Sequence, residues 1–191
     1  MSQRGWAAIG KLLVALFVIV VSGSAILLIL VLRHGVSARA QPTATEEMIA
    51  TTARHFATPL AARNMRNPVP FSAAALAEGR DHFADHCATC HGNDGSGNTE
   101  MGTNFYPKVP DMRTSRSQGL SDGEVFYIIK NGVRLTGMPA WGGEHDDDDN
   151  WKLVHFIRHL PKITPQEIEE MKKMNPVSAE EQEDEKFLKG H

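Results

Sequence analysis

Cys87, Ala88, Thr89, Cys90 and His91 stand in a row, and Cys87 and Cys90 are the only cysteines in the chain. Two thiols at this spacing can each add to a vinyl group of one porphyrin, and the adjacent imidazole is then held beneath the iron as a proximal ligand. The row is the attachment sequence of a c-type haem, and one covalent haem c per chain is predicted from it. Two other chemistries use paired cysteines. A thioredoxin-like pair opens a helix within a β-α-β pattern, whereas here a helical pattern runs into Cys87 and a Gly-rich loop follows. A zinc site needs about four ligands, usually with a second close pair; His86 and His91 are at hand, but not at a zinc-knuckle spacing.

Electron transfer calls for a sixth ligand on the iron. The best source is Gly132-Val133-Arg134-Leu135-Thr136-Gly137-Met138-Pro139-Ala140-Trp141. Gly137 permits an unusual backbone angle and Pro139 stiffens the other side, so Met138 can be presented from a loop at a fixed distance. A thioether is a weak neutral donor that raises the potential relative to a second imidazole. Met101, Met112, a second histidine (His34, His55, His82, His86, His145, His155, His159 or His191) and an open position remain alternatives at this point. Trp141 is predicted to pack at the haem edge.

Helices must position these groups. Ser72 can cap one in which Leu76, Arg80 and Phe83 recur at helical spacing on the way to Cys87. Gly79 inside it is either a weak spot or the mark of a close helix crossing. Gly92-Asn93-Asp94-Gly95-Ser96-Gly97-Asn98 is a loop that turns the chain sharply after His91. Ser121-Asp122-Gly123-Glu124 has the form of a capping box, with Val125, Phe126, Ile128 and Ile129 as the apolar face and Asn131-Gly132 as the stop. A third helix is expected from about Asp149 to His159, ended by Leu160-Pro161. Few strand signals are present, so the fold class is all-α, with a core so meagre that a buried porphyrin supplies its missing apolar mass.

Outside this region, Leu12 to Leu32 is an almost unbroken apolar run, and at about 1.5 Å per residue it crosses a bilayer core of about 30 Å. Ala38-Arg39-Ala40 has the small-x-small form of a signal-peptide cleavage site, but the apolar run is longer than such peptides use. The expected organisation is therefore an N-terminal segment (1–11), a transmembrane helix (12–32), a tether with a short helix over Glu46 to Phe56 (33–71), a haem domain (72–161), and a C-terminal helix started by Thr164-Pro165-Gln166-Glu167 and followed by a charged tail (162–191). The flanking charges do not choose an orientation. It is haem attachment outside the cytoplasmic membrane, a property of c-type cytochromes, that implies a cytoplasmic 1–11 and an extracytoplasmic 33–71. Arg4, Lys11, Arg33 and Arg39 precede residue 41 and all 23 carboxylates follow it, which leaves 16 basic against 23 acidic residues in the remainder. That balance disfavours a nucleic-acid partner. Glu144-His145-Asp146-Asp147-Asp148-Asp149 reads first as a solvated loop and helix start, then as a docking patch for a basic partner, and last as a cation site, since it lacks the spaced ligands of a calcium loop.

Cys87, Cys90, His91, Gly92, Met138 and Pro139 together resemble the membrane-anchored monohaem cytochromes c with a His/Met-ligated, class I-like domain, over roughly Ala73 to Leu160. The resemblance implies that the helix before the attachment motif crosses the last helix of the domain, with Gly79 and Phe83 at the contact and Trp151 and Phe156 as aromatic partners. It also implies that the carbonyl of Pro107, or of a neighbour in Tyr106-Pro107-Lys108-Val109-Pro110, accepts the hydrogen bond of the proximal imidazole. The implied setting is the bacterial cytoplasmic membrane, crossed once, with the haem domain on the periplasmic side. The implied function is one-electron transfer between redox partner proteins, in a respiratory or photosynthetic complex. A haem enzyme or gas sensor with an exchangeable distal ligand, and a docking subunit whose haem wires its neighbours together, are the other functions considered.

Overall fold

The computed structural model describes residues 3–35, 37–143 and 147–176, and among them every regular element is helical. The chain divides into two units, residues 1–40 and 41–191. In the first, α1 (Gln3–His34) is one continuous helix, and Trp6–Arg33 is long and apolar enough to cross a membrane.

In the second unit, α4 (Ala73–His82) starts where Ser72 Oγ accepts the Ala75 amide at 3.0 Å. It passes into a π-helical turn, Phe83–Cys87, and then into the single turn of α5 (Ala88–His91). α7 (Asp122–Asn131), which follows the short α6 (Ser115–Gln118), has the expected capping box, with both Ser121–Glu124 bonds made, and ends at Gly132. α8 spans Asp147–His159 and continues as a 3₁₀ turn, Leu160–Lys162.

The contact between α4 and α8 organises this unit. A Cβ on Gly79 would clash with the Lys152 carbonyl oxygen and lie 2.7 Å from its carbon, so only glycine lets the two backbones approach this closely. Phe83 and Phe156, both fully buried, meet there with ring centroids 5.1 Å apart. Trp151 shares the core cluster with Phe83 and Phe156 and has an aromatic partner on α7. It stacks on Phe126 of α7, at 4.0 Å and nearly parallel, because it faces the α7 side of α8.

The C-terminal helix α9 (Pro165–Lys172) begins with the expected capping box and Pro165 in its first turn. It is part of the core and not an appendage: Met171 is fully buried, Arg80 reaches Glu170 at 2.9 Å and His159 reaches Glu167 at 2.8 Å. The charged tail beyond residue 176 lies outside the described residues.

The stretch read as a tether is also occupied by contacts. It forms α2 (Ala44–Ala57), capped by Thr43, and α3 (Leu60–Arg63). Ser121 Oγ donates to the Arg63 carbonyl at 2.9 Å, Asn67 Nδ2 to the Trp151 carbonyl at 2.9 Å, and His155 Nε2 to the Val69 carbonyl at 2.8 Å. Ser121 therefore caps the start of α7 and holds the preceding segment at once. Ser121→Ala is expected to cost about 2 kcal/mol, one part for the cap and one for the lost bond to Arg63. Denaturant midpoints of the haem-loaded protein in detergent measure it, and an unchanged midpoint would contradict this double role.

Candidate haem site

The π turn carries an extra residue in the approach to the motif, with the Ala88 amide bonded to the Phe83 carbonyl. Phe83 is thereby buried in the core while Cys87, four residues on, packs only partly against it. Single π turns of this kind recur at functional sites, and no local sequence signal announced this one. After His91 the loop turns as expected, with Gly92, Gly95 and Gly97 all at positive φ. Thr99 Oγ1 fastens the loop to the carbonyls of Thr89 at 2.9 Å and Cys90 at 3.1 Å.

Cys87 and Cys90 are both free thiols. Burial, and then the proximity of Cys90, pushes the Cys87 thiol up to about 12; burial also raises Cys90. A redox-active pair needs the opposite, a thiol whose acidity is enhanced. His91 is buried, and burial pushes its imidazole down to about 4, so at neutral pH it carries a free lone pair. A neutral imidazole is the form that ligates a metal. Among the described residues, no group of three or more His, Cys, Asp or Glu side chains gathers as a metal-ligand set.

The Nδ1 atom of His91 is buried without a hydrogen-bond partner. The bond implied from it to the Pro107 carbonyl is therefore not made in this structure. The loop that carries Pro107 is engaged elsewhere: Lys108 Nζ donates to the Thr103 carbonyl at 2.7 Å, and the Val109 backbone packs closely on Gly97. A buried polar atom left unpaired is costly, and a ring awaiting a fixed orientation accounts for this one. Two free cysteines three residues apart, a neutral buried histidine and an unpaired ring nitrogen together fit a covalently held haem.

Met138 is half-buried in a loop tied at both ends to α7. Val133 donates its amide to the Met138 carbonyl at 3.1 Å, and the Met138 amide donates to Thr136 Oγ1 at 3.1 Å. Trp141 and Gly142 donate to the carbonyls of Ile129 at 3.1 Å and Lys130 at 2.9 Å. Trp141 packs against the core cluster that Cys87 also borders, with its ring edge-on to His86 at 5.5 Å. Of the alternative ligands, Met101 Sδ lies 3.5 Å from Cys90 Sγ and Met112 is packed against the core. His155 and His159 are engaged by Val69 and Glu167. In the acidic run, Asp147 pairs with Lys130 at 2.6 Å and Asp149 with Lys152 at 3.0 Å in the first turn of α8, where carboxylates suit the helix dipole. Glu144, His145 and Asp146 lie outside the described residues.

Residues 74–157 match the family described as cytochrome c oxidase, cbb3-type, subunit III. The cbb3-type cytochrome c oxidase subunit FixPc of Rhizobium leguminosarum bv. viciae is 36% identical over 88 residues, covering 44% of this chain and 28% of that protein. The cbb3-type cytochrome c oxidase subunit FixP of Rhizobium meliloti (strain 1021) is 36% identical over 84 residues, 44% of this chain and 27% of its own. The chain thus spans less than a third of the length of these relatives. A solved structure of the Kuenenia stuttgartiensis reducing HAO-like protein complex Kustc0457/Kustc0458 covers 50% of this chain and 49% of its own, at 23% identity and a TM-score of 0.45.

Proposed function

We propose that this chain, which carries a monohaem c-type cytochrome domain related to subunits of cbb3-type oxidases, is a membrane-tethered one-electron carrier working as a subunit of a respiratory complex. The observation that carries the reading is the Cys87–Cys90–His91 turn, with free thiols and a neutral buried imidazole, inside the matched region. The haem supplies reversible one-electron chemistry when bound. The chain's own residues fix the haem and set its surroundings. Cys87 and Cys90 would hold it through thioethers, and His91 would ligate its iron. Met138, presented from its pinned loop, would supply a further ligand to the iron. Trp141 would pack against the haem. The unpaired Nδ1 of His91 calls for an acceptor, and the Pro107 carbonyl is the one proposed.

α1 supplies the membrane anchor, and the cytochrome domain lies on the periplasmic side of a bacterial cytoplasmic membrane, the side that attachment of a c-type haem implies. Those relatives are oxidase subunits, which favours a respiratory over a photosynthetic assembly. Redox partner proteins give and take the electron, so no bond cleavage is asked of this chain.

The test uses the purified full chain. The haem is expected to stay with the polypeptide through denaturing electrophoresis and acid-acetone extraction, and a redox titration is expected to follow a one-electron Nernst curve. Carbon monoxide should bind poorly. Haem that extracts freely would end the covalent reading, while a high-spin protein that binds carbon monoxide fast would favour the enzyme or sensor alternative.

A further inference from the structure

α2 is built inside out. Glu47, Thr51 and Arg54, at helical spacing, are its half-buried positions, and buried Thr58 follows on the same course. This polar side faces the domain: Glu47 pairs with Arg116 at 3.1 Å, and the Arg54 guanidinium is held below its ordinary value by burial and then by neighbouring Arg116. The opposite side carries Ile49, Ala53 and Phe56 at i, i+4 and i+7, with Met48 alongside. Ile49 is 60% exposed, Met48 61% and Phe56 78%, and Leu60 at the start of α3 is 71% exposed. An amphipathic helix on a protein surface ordinarily turns its apolar stripe inward. Here the stripe faces out, and the helix buries none of its residues.

Two observations say what covers that stripe. Only residues 35–43 separate the end of α1 from α2, and a fully extended chain of that length reaches about 30 Å. The helix therefore cannot leave the neighbourhood of the membrane that holds its anchor. The second observation is charge. From Arg33 to Phe71 there are five arginines and two glutamates, whereas residues 72–191 hold 13 basic and 21 acidic residues. An anionic lipid surface attracts the first stretch and repels the second.

We propose that α2 is a membrane-surface foot: Ile49, Ala53 and Phe56, with Met48 beside them, lie in the headgroup layer of the bilayer, while the polar side of the helix carries the cytochrome domain. This is the arrangement of an interfacial amphipathic helix, with the protein's own domain in place of water on the polar side. It restricts how the domain can present itself to a partner in the same membrane.

The test uses the haem-loaded full chain in vesicles of phosphatidylethanolamine and phosphatidylglycerol, spin-labelled at Phe56→Cys or, as a water-facing control, Gln166→Cys. Thioether formation leaves no other free thiol, so labelling of the unsubstituted protein would signal failure of the haem assignment and not of this one. The label at 56 is expected to show a ratio of oxygen to nickel-chelate accessibility several-fold above that at 166. A ratio equal to the control, as for a helix in water, overturns the proposal. So does exclusion of both reagents, which would mean that protein covers the stripe, with dipolar broadening marking a second copy.

Discussion

Gly79→Ala is expected to lower stability by about 2–3 kcal/mol, although alanine is the better helix former by about 1 kcal/mol. The new methyl group meets the Lys152 carbonyl oxygen and carbon and, at 3.3 Å, the Leu153 amide nitrogen. These are backbone atoms in mid-helix, so no side chain can swing aside. Relief requires α4 and α8 to separate, which loosens the Phe83–Phe156 contact and displaces the helix that delivers Cys87. A domain of this size has only about 5–15 kcal/mol in hand, so the change is a large part of the total. Gly143→Ala is the control, since a Cβ there meets nothing within 4 Å, and it should shift stability by no more than about 0.5 kcal/mol. Denaturant midpoints of both variants, with haem bound, measure the difference. Equal midpoints would mean that the crossing tolerates a wider spacing.

What could be read from the sequence was what local chemistry dictates. The caps at Ser72, Ser121 and Thr164 were legible because a hydroxyl and the next amides on the same chain make the whole interaction. The attachment motif was legible because covalent attachment tolerates little variation in spacing. Gly79 left two readings open, and only the position of Lys152 decided between them. Residues 58–71 lack periodicity because their bonds run from single side chains to distant carbonyls, as from Asn67 to Trp151. The π turn answers a demand set by the core on Phe83 and by the site on Cys87, and no local residue pattern encodes that compromise. α2 was visible as a short helix, but amphipathicity alone says nothing about which side the rest of the chain will cover. Trp151 was recognised as an aromatic partner, but its choice of Phe126 depends on the rotation of α8, which no pair of sequence positions fixes.

Met138→Ala should lower the midpoint potential by on the order of 0.1–0.3 V and remove the optical signature of methionine ligation from the oxidised protein. The magnitude follows from exchanging a weak neutral donor for water or a stronger ligand, either of which stabilises the oxidised state relative to the thioether. The scaffold around the residue should survive the change. Its loop is held by backbone groups and by Thr136 Oγ1, which accepts the residue 138 amide and donates to the Val133 carbonyl at 2.7 Å. The loss should therefore appear in potential and spectrum far more than in the denaturant midpoint, and carbon monoxide should gain access. Met138→His should restore a low-spin centre while keeping the potential low, a pattern that mere damage to packing would not produce. Met101→Ala and Met112→Ala separate the remaining candidates. Met101 already sits against Cys90 and Met112 against the core, so both variants should keep the methionine signature. If the signature persists in Met138→Ala and vanishes in Met112→Ala, the axial ligand comes from the loop after the attachment site, and the 132–141 loop is a structural brace closing the end of α7.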